Sequence, residues 1–162
     1  MFEPGEVVYA YVKNTNPPKN KYFVTIYQDD ELRIVTCFTT TKSYHVGCPF
    51  EQLAHGYVKS NGQITAYFFD RNVEIGINNT SQPFCFPKHC IIPFDYGVRI
   101  ATKEQFLENI EKAEVVCKLH KKEYENIVYA MYKSPRTDPK YKPYLYKVLS
   151  ISDSFDKEQI NK

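Results

Sequence analysis

The sequence predicts a mainly β protein of the β-rich α+β class, built as a small antiparallel barrel or half-open sheet with one or two C-terminal helices. Three observations lead to this fold class. The first hundred residues contain short runs of β-branched and aromatic residues, separated by turn residues. The dipeptide Asn61-Gly62 between two such runs is typical of a tight hairpin. A pattern that starts a helix occurs only after Ile100.

The early strands follow from runs rich in Val, Ile, Tyr, Phe and Thr, the residues that favour a pleated, half-buried surface. They are predicted at residues 7–12, 22–27, 32–38, 57–60 and 63–68. The polar turn at 29–31 joins the second and third strands as a hairpin. Residues 14–20 contain two prolines and three asparagines, so they form a loop between the first two strands.

Residues 102–133 allow two interpretations. Thr102 and Gln105 have the spacing of a capping box, which starts a helix. Apolar residues then keep a four-three spacing as far as Met131, as in one long amphipathic helix. Residues 113–119, however, contain a β-branched pair and alternate in polarity. We favour a short helix, a strand and a second helix over 121–133.

The C-terminal part mixes tyrosines with cations. Residues 133–147 carry five basic side chains and one acidic side chain, a net charge of +4, and include Tyr141, Tyr144 and Tyr146. On a loop, such side chains could stack bases and hold phosphates. We favour a tyrosine-rich strand that returns to the sheet, with its lysines in solvent. The last residues, 152–162, are polar and are expected to fray.

This pattern predicts a single barrel-like domain over residues 1–133, with an inserted hairpin near 57–69, followed by a partly ordered extension over 134–162. A content of 43% hydrophobic and 25% charged residues excludes a chain that is disordered throughout. No apolar run approaches the roughly 20 residues that a membrane helix needs. The first four residues lack the features of a signal peptide, so we expect a cytoplasmic protein without membrane contact.

The net charge of +2 argues against nucleic-acid binding through bulk electrostatics alone. Residues 1–100 carry nine basic and nine acidic side chains, whereas residues 133–147 alone have a net charge of +4. The net charge of the whole chain therefore averages over unlike segments, and a local phosphate site stays possible.

Five widely spaced cysteines, an odd number, favour free thiols in a reducing compartment. The one tight cluster places Cys85, His89 and Cys90 within six residues. A tetrahedral zinc site needs a second ligand pair at short spacing, and Cys37 and Cys48 are too far apart to supply it. We therefore expect no metal or other cofactor, and small hydrophobic core cysteines instead.

Residues 37–51 carry the strongest functional signal. The pair Thr39-Thr40 ends a predicted strand, and a short loop leads to Pro49-Phe50. This arrangement resembles the MazF/PemK family of growth-inhibitor toxins. Three further segments resemble that family in the same order: 5–8, 93–100 with Lys103, and 120–124. The resemblance covers about residues 5–51 and 90–133.

Such toxins are in general metal-independent endoribonucleases with a small β-barrel fold, which dimerise and are neutralised by an antitoxin. The resemblance therefore implies cleavage of single-stranded RNA by its own 2′-hydroxyl, leaving a cyclic phosphate. It also implies an antitoxin protein and a second copy of the chain as partners. The chemistry needs a proton acceptor, a proton donor, and cationic or hydroxyl groups for the phosphate oxygens.

The resemblance also suggests the site residues. Thr39 matches the family's threonine at the strand end, whereas Lys21 stands where the family has an arginine. Lysine lacks the planar bidentate fork of arginine, so this exchange is not conservative. The residues expected to act in catalysis are Lys21, Thr39, Thr40 and His45. The residues expected to bind RNA are Lys19, Lys42, Ser43, Tyr44 and Arg99.

The missing arginine favours an alternative function. A non-catalytic barrel could bind nucleic acid or a protein partner through exposed tyrosines. A sister group of this fold binds a topoisomerase and does not cut RNA, so the fold alone does not decide. A metal-dependent nuclease is the weakest hypothesis, because no cluster of carboxylates stands out in the sequence.

Overall fold

The structure is a computed structural model, and it describes residues 1–30, 33–152, 155 and 157–161. The strands are β1 (Glu6–Val12), β2 (Lys19–Gln28), β3 (Arg33–Phe38), β4 (Gly56–Ser60), β5 (Gln63–Phe69), β6 (Gly76–Ile77), β7 (Pro83–Phe84), β8 (Cys90–Pro93), β9 (Val98–Thr102) and β10 (Ile110–Leu119). The helices are α1 (Lys103–Asn109), α2 (Lys121–Lys133), α3 (Lys142–Ser150) and α4 (Lys157–Asn161). Short 3-10 turns cover Ser43–His45, Phe50–Gln52 and Pro139–Tyr141.

The strands form two antiparallel sheets. The larger sheet has the order β7-β6-β10-β1-β2-β3-β9, and the smaller has the order β4-β5-β8. The predicted mainly β fold with a half-open sheet and C-terminal helices is confirmed. The barrel alternative is not: no closed barrel forms in the part of the chain that the structure describes.

Both predicted hairpins are present. β2 pairs with β3, although position 32, where the third strand was predicted to begin, lies outside the described residues. β4 pairs with β5 around Asn61-Gly62. The φ angles of 53° at Asn61 and 77° at Gly62 are both positive, as a two-residue type I′ turn requires. This hairpin and β8 build the smaller sheet.

The interrupted arrangement of residues 102–133 is confirmed. The Thr102 hydroxyl accepts a hydrogen bond from the Gln105 amide at 3.2 Å, and the Gln105 side chain accepts one from the Thr102 amide at 2.9 Å. This capping box starts α1, and β10 follows directly. Pairing with β1 places Cys117 in the core, and pairing with β6 places Leu119 there, which explains why the alternating pattern prevails over the helical spacing.

The larger sheet separates two hydrophobic cores, because alternate residues of a strand point to opposite faces. Val7 and Val24 lie on what we call the back face, in a core shared with α2, α3 and the smaller sheet. Val8 and Phe23 lie on the front face, in a smaller core that Phe2 and α1 complete.

The predicted tyrosine-rich strand near residue 144 is wrong, because this segment forms α3. The Asp138 side chain caps the preceding 3-10 turn, and a proline in the first turn of α3 favours a helix start. Leu145 and Leu149 are fully buried on the back face. Tyr144 contacts Tyr27, with ring centroids 5.0 Å apart, so this tyrosine serves packing.

Part of the basic charge in this segment is used internally. The Lys142 amine donates hydrogen bonds to the backbone carbonyls of Met131, Tyr132 and Ser134, where α2 ends. Burial lowers the pKa of Lys142, and the charge of Lys133 lowers it further. Lys142 therefore anchors α3 to α2 and does not form part of an open basic loop.

The tail prediction also needs correction. Residues 157–161 form α4, and Ile160 is buried, so this part of the tail is not frayed. Residues 153, 154, 156 and 162, which the same prediction covered, lie outside the described residues.

The cysteine prediction is confirmed for three residues and wrong for one. All five thiols are free; Cys37, Cys90 and Cys117 are buried, whereas Cys85 is exposed. Burial raises the pKa of Cys90 and of Cys117 to about 12. No set of three or more His, Cys, Asp or Glu side chains among the described residues is arranged to hold a metal ion. None of the described helices has the length and apolar character needed to cross a membrane.

Candidate functional site

A cleft on the front face brings together eight of the nine predicted site residues. Its volume is about 280 Å³, and its floor includes Val12, Phe38 and Phe106 of the front-face core. The predicted residues that line it are Lys19, Lys21, Thr39, Thr40, Lys42, Tyr44, His45 and Arg99. Ser43 is not part of the lining; its carbonyl accepts a hydrogen bond from the Val46 amide at 3.0 Å.

The order of three neighbouring strands explains this convergence. Lys19 and Lys21 are two residues apart on β2, so they point to the same face. The end of β3 lies beside them, and β9 follows on its other side. Arg99 of β9 pairs with Thr36 of β3, which directs a third cation toward the same cleft.

Gly97 allows β9 to begin close to the end of β3. A Cβ atom at this position would lie 2.8 Å from the carbonyl oxygen of Phe38 and 3.2 Å from that of Pro93. The Phe38 amide donates a hydrogen bond to the Gly97 carbonyl at 2.8 Å. A larger residue would force this backbone to shift, and β9, which carries Arg99, begins at the next residue.

Thr39 stabilises the end of β3 through hydrogen bonds. It is 6% exposed, and both its amide and its hydroxyl donate to the carbonyl of Tyr22, at 3.1 and 3.2 Å. Its carbonyl accepts a hydrogen bond from the Lys21 amine at 3.4 Å. Thr39 therefore fixes the strand end and orients Lys21.

Thr40 extends this strand end into the following loop. Its backbone exchanges two hydrogen bonds with Ile91, at 2.8 and 2.9 Å, and its hydroxyl accepts one from the Lys42 amide at 3.2 Å. Thr40 thus links the larger sheet to β8 and sets the course of the loop that carries Lys42, Tyr44 and His45.

The cleft is electrostatically one-sided. Its lining includes four cations, Lys19, Lys21, Lys42 and Arg99, and no Asp or Glu of the described chain. Burial lowers the pKa of the Lys21 amine below its ordinary value, and the positive charges of Lys19 and Arg99 lower it further. Such a concentration of like charge destabilises the unliganded protein and favours an anion.

Arg99 is exposed but held in place. Its Nη1 donates to the carbonyls of Tyr96 and Val98, at 2.7 and 2.9 Å. The guanidinium carbon lies 6.0 Å from the centre of the Tyr96 ring. Arginine offers five donors, so the remaining donors can face a ligand.

Aromatic rings form the outer rim. Tyr44 and His45, on the turn Ser43–His45, have ring centroids 4.2 Å apart, and the His45 ring lies 5.3 Å from that of Tyr96. Tyr44 is 71% exposed and Tyr96 is 61% exposed. Sequence reasoning missed Tyr96, because its contact with His45 joins residues that lie far apart in the chain.

Helix α1 supplies lining residues that sequence reasoning also missed, Gln105 and Asn109. The capping box in the sequence predicts where this helix starts, but it does not show which surface the helix covers. The Gln105 side chain is already engaged in that box.

No protein-family model matches the chain, and neither the curated proteins nor the solved structures contain a match. The fold and the cleft therefore define the protein as a mainly β protein with a cationic, aromatic-rimmed site. Ammonium and guanidinium groups bind anions and do not ligate metals, so the chemical class of ligand that fits is an anion such as a phosphate.

Proposed function

We propose that this chain binds single-stranded RNA in the cationic cleft and cleaves it without a metal ion. The observation that carries the proposal is the convergence of four cations on one cleft without a carboxylate in its described lining. The backbone of RNA presents one negative charge per nucleotide, and cations that neutralise it supply most of the non-specific affinity. Exposed tyrosines beside such cations are typical of single-strand binding.

In the proposed reaction, the 2′-hydroxyl oxygen attacks the adjacent phosphorus and its proton passes to a basic group. The bond from phosphorus to the 5′-oxygen breaks, and that oxygen takes up a proton. The products are a 2′,3′-cyclic phosphate and a 5′-hydroxyl, with no other reactant. Lys21 and Arg99 stabilise the charge on the phosphate oxygens. His45 is the proposed proton-transfer group.

Resemblance to the MazF/PemK family supports this proposal. The strand-end threonines and Lys21, which were matched by their order along the chain, meet in space. The arginine that the family places before its hydrophobic strand is absent here, and Arg99 of β9 brings a guanidinium to the same cleft. By the same resemblance, we propose a cytoplasmic homodimer that an antitoxin protein neutralises.

The test is incubation of the protein with long single-stranded RNA in excess chelator. We expect discrete fragments that end in a cyclic phosphate, and their loss in Lys21→Met and Arg99→Met. Lys147→Met, an exposed lysine of α3 outside the cleft, is the matched control. Fragments that persist in both cleft variants, or that require a divalent ion, would refute the proposed activity.

A binding function without catalysis is the second candidate. The observation that favours it is the hydroxyl of Thr39, which is buried and committed to the carbonyl of Tyr22. In the same assay, this candidate predicts intact RNA that migrates with the protein in a native gel. Loss of that complex in Lys21→Met would locate binding at the cleft.

A further inference from the structure

The rings of Tyr44, His45 and Tyr96 form a chain of contacts along the rim of the cleft, which we call the aromatic ladder. The centroid distances along it are 4.2 and 5.3 Å. Large apolar side chains are usually withdrawn from water, and the chain contains 14 tyrosines. Three of these are exposed, and Tyr44 and Tyr96 are two of them. The ladder thus places exposed aromatic surface next to the cations.

We infer that the aromatic ladder stacks the bases of the RNA strand whose phosphate occupies the cleft. This inference rests on the proposed function. In a duplex the bases are already stacked and paired, so only a single strand can offer them to aromatic side chains.

The position of Arg99 supports this assignment. Its guanidinium lies 6.0 Å from the centre of the Tyr96 ring, and the same side chain lines the cleft. A phosphate at Arg99 therefore brings its own nucleotide, or the next one, within reach of Tyr96. At the other end of the ladder, Tyr44 and Lys42 belong to one loop and both line the cleft. Each end of the ladder thus pairs a ring with a cation, the combination that single-strand binding surfaces use.

The contacts of His45 with both tyrosines also position its imidazole ring. The ladder holds the imidazole on the rim, beside the cleft. Bases stacked on Tyr44 and Tyr96 would then lie on either side of the proposed proton-transfer group.

The experiment compares two uncleavable probes of equal length and charge by fluorescence anisotropy. One is a 2′-O-methyl oligoribonucleotide with all its bases, and the other carries abasic sites in its central part. We expect wild type to bind the first more tightly. Tyr44→Leu and Tyr96→Leu should each weaken binding of the base-containing probe by about 5- to 150-fold, the range for one stacked base, and leave the abasic probe unaffected. Tyr44→Phe and Tyr96→Phe should retain binding.

The controls separate this inference from the proposed function. Lys21→Met should weaken both probes, because it removes a phosphate contact. Equal wild-type affinity for the two probes would overturn the inference and leave the ladder as a surface for a protein partner, with the phosphate site intact. Loss of both probes in the leucine variants would also overturn it, since the rings would then support the site and not the bases. If wild type bound neither of the two probes, the proposed function and the inference would both be overturned.

Discussion

The proposed RNA binding should depend on salt in a way that follows from the number of cations in the cleft. Four line it, Lys19, Lys21, Lys42 and Arg99. On a single strand, each neutralised phosphate contributes about −0.7 to the slope of log affinity against log salt, so four give about −2.8. Between 50 and 200 mM salt, the affinity should then fall about 50-fold. Removal of one cation should bring the slope to about −2.1 and the fall to about 20-fold.

The assay is fluorescence anisotropy with an uncleavable single-stranded probe over this range of salt, on wild type, Lys21→Met and Arg99→Met. Lys147→Met keeps the wild-type slope if the cleft is the phosphate site. Unchanged slopes in both cleft variants would refute the electrostatic reasoning. A wild-type slope far steeper than the value of about −2.8 that four cations give would show that RNA phosphates also bind elsewhere on the surface.

Three further predictions concern stability, each read from thermal unfolding followed by circular dichroism. Lys142→Met removes hydrogen bonds to three carbonyls, whereas the Lys21 amine makes one at 3.4 Å. We expect this loss to exceed the gain from removing the partly buried charge of Lys142, with a cost of about 2–3 kcal/mol and a fall in Tm of about 4–12 °C. A Tm equal to that of Lys147→Met would contradict this. Thr102→Ala should cost about 1 kcal/mol through loss of the capping box, and an unchanged Tm would show that α1 does not depend on it. Lys21→Met should be more stable than wild type at pH 7, because the lowered pKa of Lys21 means that its charged form is disfavoured in the folded state. That advantage should shrink as the pH rises to 10.5, the ordinary pKa of lysine, and an advantage independent of pH would refute it.

Features with local causes could be predicted from the sequence. The hairpin at Asn61-Gly62 depends on two positive φ angles, which these residue types adopt readily. The start of α1 depends on two side chains three residues apart. In both cases the determining contacts lie within a few residues, so a short pattern contains them.

The C-terminal segment shows why other features could not be predicted. Its richness in tyrosine favours a strand, but Tyr144 packs against Tyr27 and Lys142 binds the end of α2. Tyr27 lies far from Tyr144 in the sequence, and the carbonyls that Lys142 contacts lie 8 to 11 residues before it, beyond the reach of a short local pattern. Pro143, in the first turn of α3, was the one local sign of a helix.

In the candidate site, too, some residues could be predicted from the sequence and others could not. Lys21, Thr39 and Arg99 could be proposed from the resemblance of their segments to the MazF/PemK family, and the adjacency of β2, β3 and β9 brings them together. Tyr96 could not be proposed, because its role on the rim depends on a contact with His45 across the sheet end. The proposed phosphate site was thus accessible from sequence, whereas its aromatic surroundings required the fold.

The division of the larger sheet into a front and a back face has a practical consequence for handling the protein. The cleft lies over the front-face core, while α3 packs in the back-face core and exposes Lys147 to solvent. With the exposed Cys85 and the half-buried Cys48 replaced by serine, coupling through a cysteine introduced at position 147 would attach the molecule to a bead or sensor surface by its back. The cleft would then face the liquid, and an immobilised, uniformly oriented layer could capture RNA without loss of the binding site.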